Sequence, residues 1–540
     1  MKAFGSPISL FASYILVFCS SYMVNSLANS GSRCRSKDSK GTEFIVGFLD
    51  TLGADNTYPS MYVVGASRTR TVVNIDAPGM NMRSIIDGGA PYKKLEITGS
   101  SGPSSRAVLV TADHDINLYC VDQGTSMDSY LALPTDVLGT EYYVASYTVP
   151  ERIRRQDRGS QFMIMGVEQN TRVEITLKGT AMHNGRTYQR GTPLSLSIDR
   201  LQVLHFLSED DDLTGTHIMS DAPVGVISGN KCADVPARNS FCDHLVEMIP
   251  PVSTWGRKFI TSPLRLRTAG DVFRVIASRD GTIVEIEGAG TERRRLNAGE
   301  FQEFDVASSD SRFVSASKPA LLIQYSKGGE ADNTQADPFM MLVPAIEQFP
   351  RDPVYFVTPL SSSPPFSHHV NVIVDCQKTG ALFHNMFLIP ETAFSRLTQL
   401  RRRVGDREYC IAQMDLAIGE HMLEQRELDV QFSIVLYGFA TSDGNTQTIG
   451  EVAYGMPIGL TLNDNSCYAS DSIVYDTSTQ RNSRQTGPGE ITRAGDGPFV
   501  SFPGQGDVSA PVAPSYGAGQ EKSGRYLMLA ILIGMFSLSP

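Results

Sequence analysis

A short apolar segment ending in proline returns four times along the chain, as Leu131-Ala-Leu-Pro134, Glu247-Met-Ile-Pro250, Met341-Leu-Val-Pro344 and, less closely, Tyr454-Gly-Met-Pro457. The prolines stand 116, 94 and 113 residues apart, so the chain is built from about four units of roughly 100 residues. The segments between them repeat too. Met61 to Ala77, Phe162 to Lys178 and Val272 to Gly288 each read as a strand, a polar turn and a Thr-led strand. His217 to Gly229 parallels Arg312 to Ser326, read as two strands joined by a turn that ends in Ala-Pro or Lys-Pro.

Runs rich in Val, Ile, Phe, Tyr and Thr, bounded by Gly, Asp, Asn or Ser, continue throughout, and long helical periodicity is nearly absent. One exception, Glu391 to Arg403, fits a helix or an exposed loop. The expected fold is therefore all-β: about four tandem antiparallel repeats in a propeller-like ring, with a row of β-sandwiches as the alternative. Ring closure has one argument in its favour. The first unit has no linking motif before it and the fourth is followed by one, so the last copy can fill the first gap.

Composition limits what such a scaffold does. The 540 residues carry 47 Lys and Arg against 58 Asp and Glu, a net charge of −11, which argues against a general nucleic-acid partner. After Cys467, residues 468–520 are dominated by Ser, Thr, Gly, Pro, Asp and Gln and read as a disordered stalk.

The two ends carry addressing signals. Lys2, the apolar run Ile8 to Phe18 and Ser26-Leu27-Ala28 match a signal peptide over residues 1–28. Tyr526 to Leu538 is a largely apolar run of thirteen residues, too short to span a bilayer of about 30 Å, and follows a polar spacer and small residues. That order of parts is a GPI-type signal over 521–540, with attachment expected at Ser515 or Gly517. The chain is expected in the secretory pathway, at the outer face of the plasma membrane or secreted, with residues 29–467 as its folded part.

Seven cysteines remain after the signal. In an oxidising compartment, short loops favour Cys232 with Cys242 and Cys376 with Cys410, although sequence alone leaves connectivity open. If the ring closes, Cys34 and Cys467 become neighbours and a third candidate pair, with Cys120 as the odd thiol.

Chemistry is sparse. No Gly-x-Ser-x-Gly elbow, His-Glu-x-x-His helix, P-loop or dinucleotide glycine motif occurs, and no enzyme activity and no cofactor are expected. His368-His369 reads as a pair of surface-loop histidines beside Pro364 and Pro365, and Asp113-His114-Asp115 as a hairpin turn. Glu209 to Asp212, and the loop holding Glu330, Asp332, Asn333 and Asp337, offer oxygen clusters that calcium or solvent could occupy. Three basic groups, Arg152, Arg154, Arg155 and Arg158, then Arg293, Arg294 and Arg295, then Arg401, Arg402 and Arg403, are candidate contacts for sulfated or sialylated glycans, or solvated loops.

One long motif is specific. Gly229-Asn-Lys-Cys232-Ala-Asp-Val-Pro236 followed by Cys242-Asp-His-Leu-Val-Glu-Met-Ile-Pro-Pro-Val-Ser-Thr-Trp255-Gly256 resembles the N-terminal domain of the IgGFc-binding protein family. Lys40 to Val46, Tyr130 to Tyr143 and Asp212 to Thr216 agree with it. The resemblance implies an extracellular, non-enzymatic binding module of mucus, secretions or cell surfaces, with a glycoprotein, mucin or immunoglobulin-like partner. It also implies a structural disulfide between Cys232 and Cys242 and a packing role for Trp255. The von Willebrand D repeats of the large vertebrate member are missing here, so gel formation is not implied. A self-associating structural coat is the alternative function, and a glycan-processing enzyme a minor one.

Overall fold

A computed structural model describes residues 37–464, apart from 53–58, 89–91, 98–105, 124–125, 150–157, 238–241, 289, 335, 360–364, 397–406 and 442–448. The described chain is all-β, with antiparallel pairing at every ladder and only short 3-10 turns besides.

The first set holds β1 (Gly41–Val46), β2 (Ser60–Gly65), β3 (Thr71–Ala77), β4 (Met80–Ile86), β5 (Tyr92–Glu96), β6 (Val108–Gln123) and β7 (Met127–Leu131). The long β6 organises it. Its N-terminal half lies between β1 and β3, with β4 outside β3, and its C-terminal half lies between β2 and β7, with β5 outside β2.

The second set holds β8 (Gly139–Tyr143), β9 (Ser160–Gly166), β10 (Thr171–Thr176), β11 (Ala181–His183), β12 (Arg186–Tyr188), β13 (Pro193–Ile198), β14 (Val203–Ser208), β15 (His217–Ala233) and β16 (Asp243–Met248). β15 plays the part of β6: β8 and β10 flank its first half, β9 and β16 its second. β11 and β12 form an added hairpin on β14.

The third set runs β17 (Lys258–Ile260), β18 (Asp271–Ala277), β19 (Thr282–Glu287), β20 (Thr291–Leu296), β21 (Phe301–Val306), β22 (Phe313–Ala316), β23 (Ala320–Ser326) and β24 (Met340–Leu342). Here the long strand is cut in two. β22 lies in the sheet β17-β22-β19-β20 and β23 in the sheet β21-β18-β23-β24.

The fourth set runs β25 (Val354–Val357), β26 (Phe366–Asp375), β27 (Leu382–His384), β28 (Phe387–Leu388), β29 (Phe394–Arg396), β30 (Tyr409–Leu416), β31 (Glu420–Gln425), β32 (Phe432–Thr441) and β33 (Ile449–Pro457). Its sheets, β25-β31-β27-β28 and β29-β30-β26-β32-β33, follow the third set's order with β29 added.

The same pairing order thus recurs, and three local readings are corrected by it. Asp113, His114 and Asp115 lie inside β6 rather than in a hairpin turn. Ala222-Pro223 does not end a strand either: β15 continues through it, and the register with β8 shifts between Met219 and Val224, where a proline without an N–H is tolerated. Only Lys318-Pro319 separates two strands. Glu391 to Arg403 forms no helix where it is described, giving a 3-10 turn at Glu391–Ala393 and then β29.

The four linking motifs lie on or just after β7, β16, β24 and β33, and these strands meet. β7 touches β16, β16 touches β24, β24 touches β33, and β33 touches β7. Where β1, β8 and β17 approach the segments that follow the linking strands, Gly41, Gly139 and Gly256 leave room: a Cβ on any of them would collide with Pro134, Pro251 or Ala345. The described ends also meet, since Leu462 N donates to Lys37 O at 2.8 Å and Ser39 N donates to Leu460 O at 2.9 Å. A buried apolar cluster runs from Phe44 to Leu462 through strands of all four sets.

Candidate functional site

Meeting at a centre creates a problem of unpaired backbone. Each linking strand has a ladder on one edge, and its other edge presents buried N–H groups that need acceptors. Carboxylates supply them. Asp128 on β7 accepts from Val246 N at 3.1 Å and Met340 N at 3.0 Å, while its other oxygen accepts from Ser129 N at 2.8 Å and reaches Gly455 N at 3.4 Å. One side chain therefore touches all three other linking strands. Glu247 on β16 accepts from Leu342 N at 2.7 Å and Met248 N at 3.0 Å, and Asp243 from Met127 N at 2.7 Å.

Burial pushes all three carboxyls up, Glu247 to about 8, against the lowering pull of these N–H donors. Asp122 is also raised by burial, opposed by His244, whose Nε2 lies 3.1 Å from its carboxylate. This is an acid-rich hub closed to solvent, with the oxygens of Asp128 and Glu247 committed to backbone, so it joins strands and offers no substrate an opening. Sequence reading missed it, although one signal was present: a carboxylate inside an otherwise apolar strand needs a partner.

Other acidic clusters are likewise tied down. Asp212 pairs with Arg274 at 2.7 Å, and Asp211 accepts from Thr180 N at 2.7 Å. Arg274 is buried between the rings of Tyr147 and Phe301, each 4.4 Å away, and also reaches Thr148 and Glu303, so the second and third sets are joined there. Asp332 pairs with Arg267 at 2.9 Å with both side chains fully buried. These contacts engage Asp211, Asp212 and Asp332 of the two oxygen clusters, and among the described residues no group of three or more His, Cys, Asp or Glu is arranged to hold a metal.

His368 and His369 are not surface-loop residues. Both are buried on β26, and alternation on the strand sends them to different partners: Tyr454 Oη at 2.7 Å from His368, and Asp415 at 2.8 Å from His369. Disulfides join Cys232 to Cys242 and Cys376 to Cys410, and Cys120 is a free, buried thiol. Trp255 is fully buried, its Nε1 donating to Pro250 O at 2.8 Å.

The basic groups are spread out. Arg293, Arg294 and Arg295 occupy β20, the exposed edge strand of its sheet, where Arg293 lies 3.3 Å from Glu285. Arg294 and Arg295 have no carboxylate within 4.0 Å among the described residues. Arg158 is half-buried ahead of β9. Arg152, Arg154, Arg155, Arg401, Arg402 and Arg403 lie outside the described residues, as do Cys34, Cys467, Ser515 and Gly517.

A second surface was not anticipated. Between the first and fourth sets lies a pocket of about 150 Å³, with Val64, Tyr355, Phe356 and Met422 in its walls. Arg68, Asn385, Met386, Glu420 and His421 complete it. Asn385 and Met386 form the tip of the β27–β28 hairpin, both in the left-handed region at φ 48° and 69°, and Asn385 Oδ1 accepts from Met422 N at 2.8 Å. Next to this tip, Phe387 is 78% exposed. His384 and His421 share one hydrogen bond of 3.0 Å, and burial together with the neighbouring imidazole holds His384 down at about 4.

A family model described as IgGFc binding protein matches residues 128–438, from the hub residue Asp128 to Gly438 on β32. The chain belongs to the IgGFc-binding protein family. A curated relative, the IgGFc-binding protein of Homo sapiens, is 26% identical over 422 residues, covering 76% of this chain and 7% of the relative. This IgGFc-binding family member thus spans a small part of that relative's length. Among solved structures, a native α-L-rhamnosidase from Aspergillus terreus aligns with 59% of this chain and 50% of its own at 9% identity and a TM-score of 0.11, which carries no argument.

Proposed function

We propose that this protein is an extracellular recognition module that binds a glycoprotein, mucin or immunoglobulin-like partner and performs no catalysis. The observation that carries the reading is the family match over residues 128–438. Residues 1–28 are its signal peptide, 29–467 its folded part, 468–520 a stalk, and 521–540 a GPI-type signal processed at Ser515 or Gly517. The folded part is a closed ring of four repeats. Support for closure comes from the recurring pairing order, the four linking strands in mutual contact and the meeting of the described ends. Cys34 and Cys467 flank those ends and form the third disulfide.

Partner contact is made by basic side chains on rigid elements, above all Arg294 and Arg295 on the edge strand β20. Arginine suits sulfate and sialate because its planar donors match an oxyanion. Retention of the secreted chain on immobilised mucin, IgG Fc, sulfated glycan and a blank surface tests the reading. Retention on one of the three surfaces above the blank supports it, and retention on none of them contradicts it.

A further inference from the structure

Among the described residues eight large hydrophobic side chains are exposed, and five of them, Met386, Phe387, Leu388, Ile418 and Leu428, belong to the fourth set. Three are consecutive at the β27–β28 hairpin, beside the pocket that Met386 helps to line. An exposed aromatic knob and an apolar-walled socket therefore adjoin on one face. The socket's volume of about 150 Å³ matches a phenyl ring, since a cavity of about that size accepts benzene. Opposite charges accompany them: Arg68 and Glu420 both line the pocket, both are exposed, and neither has an ion-pair partner within 4.0 Å among the described residues.

A face that carries a knob, its own socket and one exposed charge of each sign, close enough for Arg68 to act on Glu420 within a copy but not joined in an ion pair, is complementary to itself. Two-fold symmetry requires this of an isologous interface, where residue i of one copy meets residue j of the other and the reverse. We propose that this face joins two copies of the chain, the Phe387 ring of each filling the pocket of the other and Arg68 of each pairing with Glu420 of the other. The proposal is independent of the partner reading, because β20 is not part of this face. A dimer would present two basic edge strands, and avidity would raise retention on a repetitive surface such as mucin.

The test is sedimentation velocity of the secreted, folded chain across micromolar concentrations, with thiols alkylated. A reversible monomer–dimer equilibrium is expected, and Phe387→Ser, at an exposed position, should weaken it about tenfold or more with circular dichroism unchanged. Arg68→Glu and Glu420→Arg should each be monomeric alone, since each places like charges across the two-fold. Mixed together they should form a heterodimer, because both cross pairs then become attractive. A wild type that stays monomeric overturns the proposal. So does a dimer indifferent to Phe387→Ser and to both charge reversals, or a monomer that loses a mucin or Fc partner with Phe387→Ser.

Discussion

Asp128 and Met340 stand 212 residues apart in the chain, yet the Asp128 carboxylate accepts the Met340 backbone N–H at 3.0 Å. The same oxygen accepts from Val246, so one side chain binds the linking strands of the second and third sets to that of the first. Replacing Asp128 with Ala strands these buried donors. Each orphaned group costs about 1 to 3 kcal/mol, so the variant should lose about 3 kcal/mol or more. Guanidinium unfolding measures it. A shift within error of wild type would show that the hub does not depend on this carboxylate.

Glu247 gives the hub a pH dependence. Its folded value, about 8, lies above its ordinary value of 4.5, so between those limits the folded state holds a proton that the unfolded chain releases. Its contribution to stability is therefore present in full at acid pH and is lost as pH rises through about 8. Asp271, pushed up to about 7 by burial, acts in the same direction. Thermal midpoints from pH 5.5 to 8.5 should fall less in Glu247→Gln, which mimics the protonated acid, than in wild type. Equal slopes would refute the assignment.

Arg274 should tolerate no substitution by size alone. Arg274→Met takes the cation from half-buried Asp212, which keeps the Thr214 N–H and the Thr148 hydroxyl, a loss of about 1.5 to 3 kcal/mol, whereas Arg274→Met with Asp212→Asn should recover part of it. Urea midpoints of the two single variants and the double variant form the cycle, and strict additivity would show that the pair is not coupled.

The cysteines differ in a measurable way. By loop entropy, opening Cys376–Cys410, with its separation of 34, should cost about 4 kcal/mol, and opening Cys232–Cys242, with a separation of 10, about 3 kcal/mol. Cys120 is fully buried and its thiol is pushed up by that burial, so peptide mapping after iodoacetamide should find it unlabelled until denaturant is added. Native labelling would mean that the core around β6 opens.

Much of the architecture was legible because strand grammar and the proline-ended motif are local signals. The parallel between Phe162–Lys178 and Val272–Gly288 corresponds to β9–β10 and β18–β19, which hold the same places in their sets. What was not legible depends on distant partners. His368 and His369 looked like loop residues because prolines precede them, and only their pairing with Tyr454 and Asp415 explains their burial. Asp212 looked like a solvated acid because Arg274, 62 residues away, gives no local sign of reaching it. The pocket beside Phe387 is formed by the first and fourth sets together, so no single segment of sequence contains it.

The central claim about the site, that an acidic partner is held by the basic edge strand β20, is tested most directly by one binding comparison. Wild type and the Arg293→Glu, Arg294→Glu, Arg295→Glu triple variant would be measured on sialylated, sulfated mucin, before and after removal of the acidic groups. Retention by wild type alone, and only on the acidic surface, is the predicted result. Equal retention of both proteins, or none by either, would contradict it.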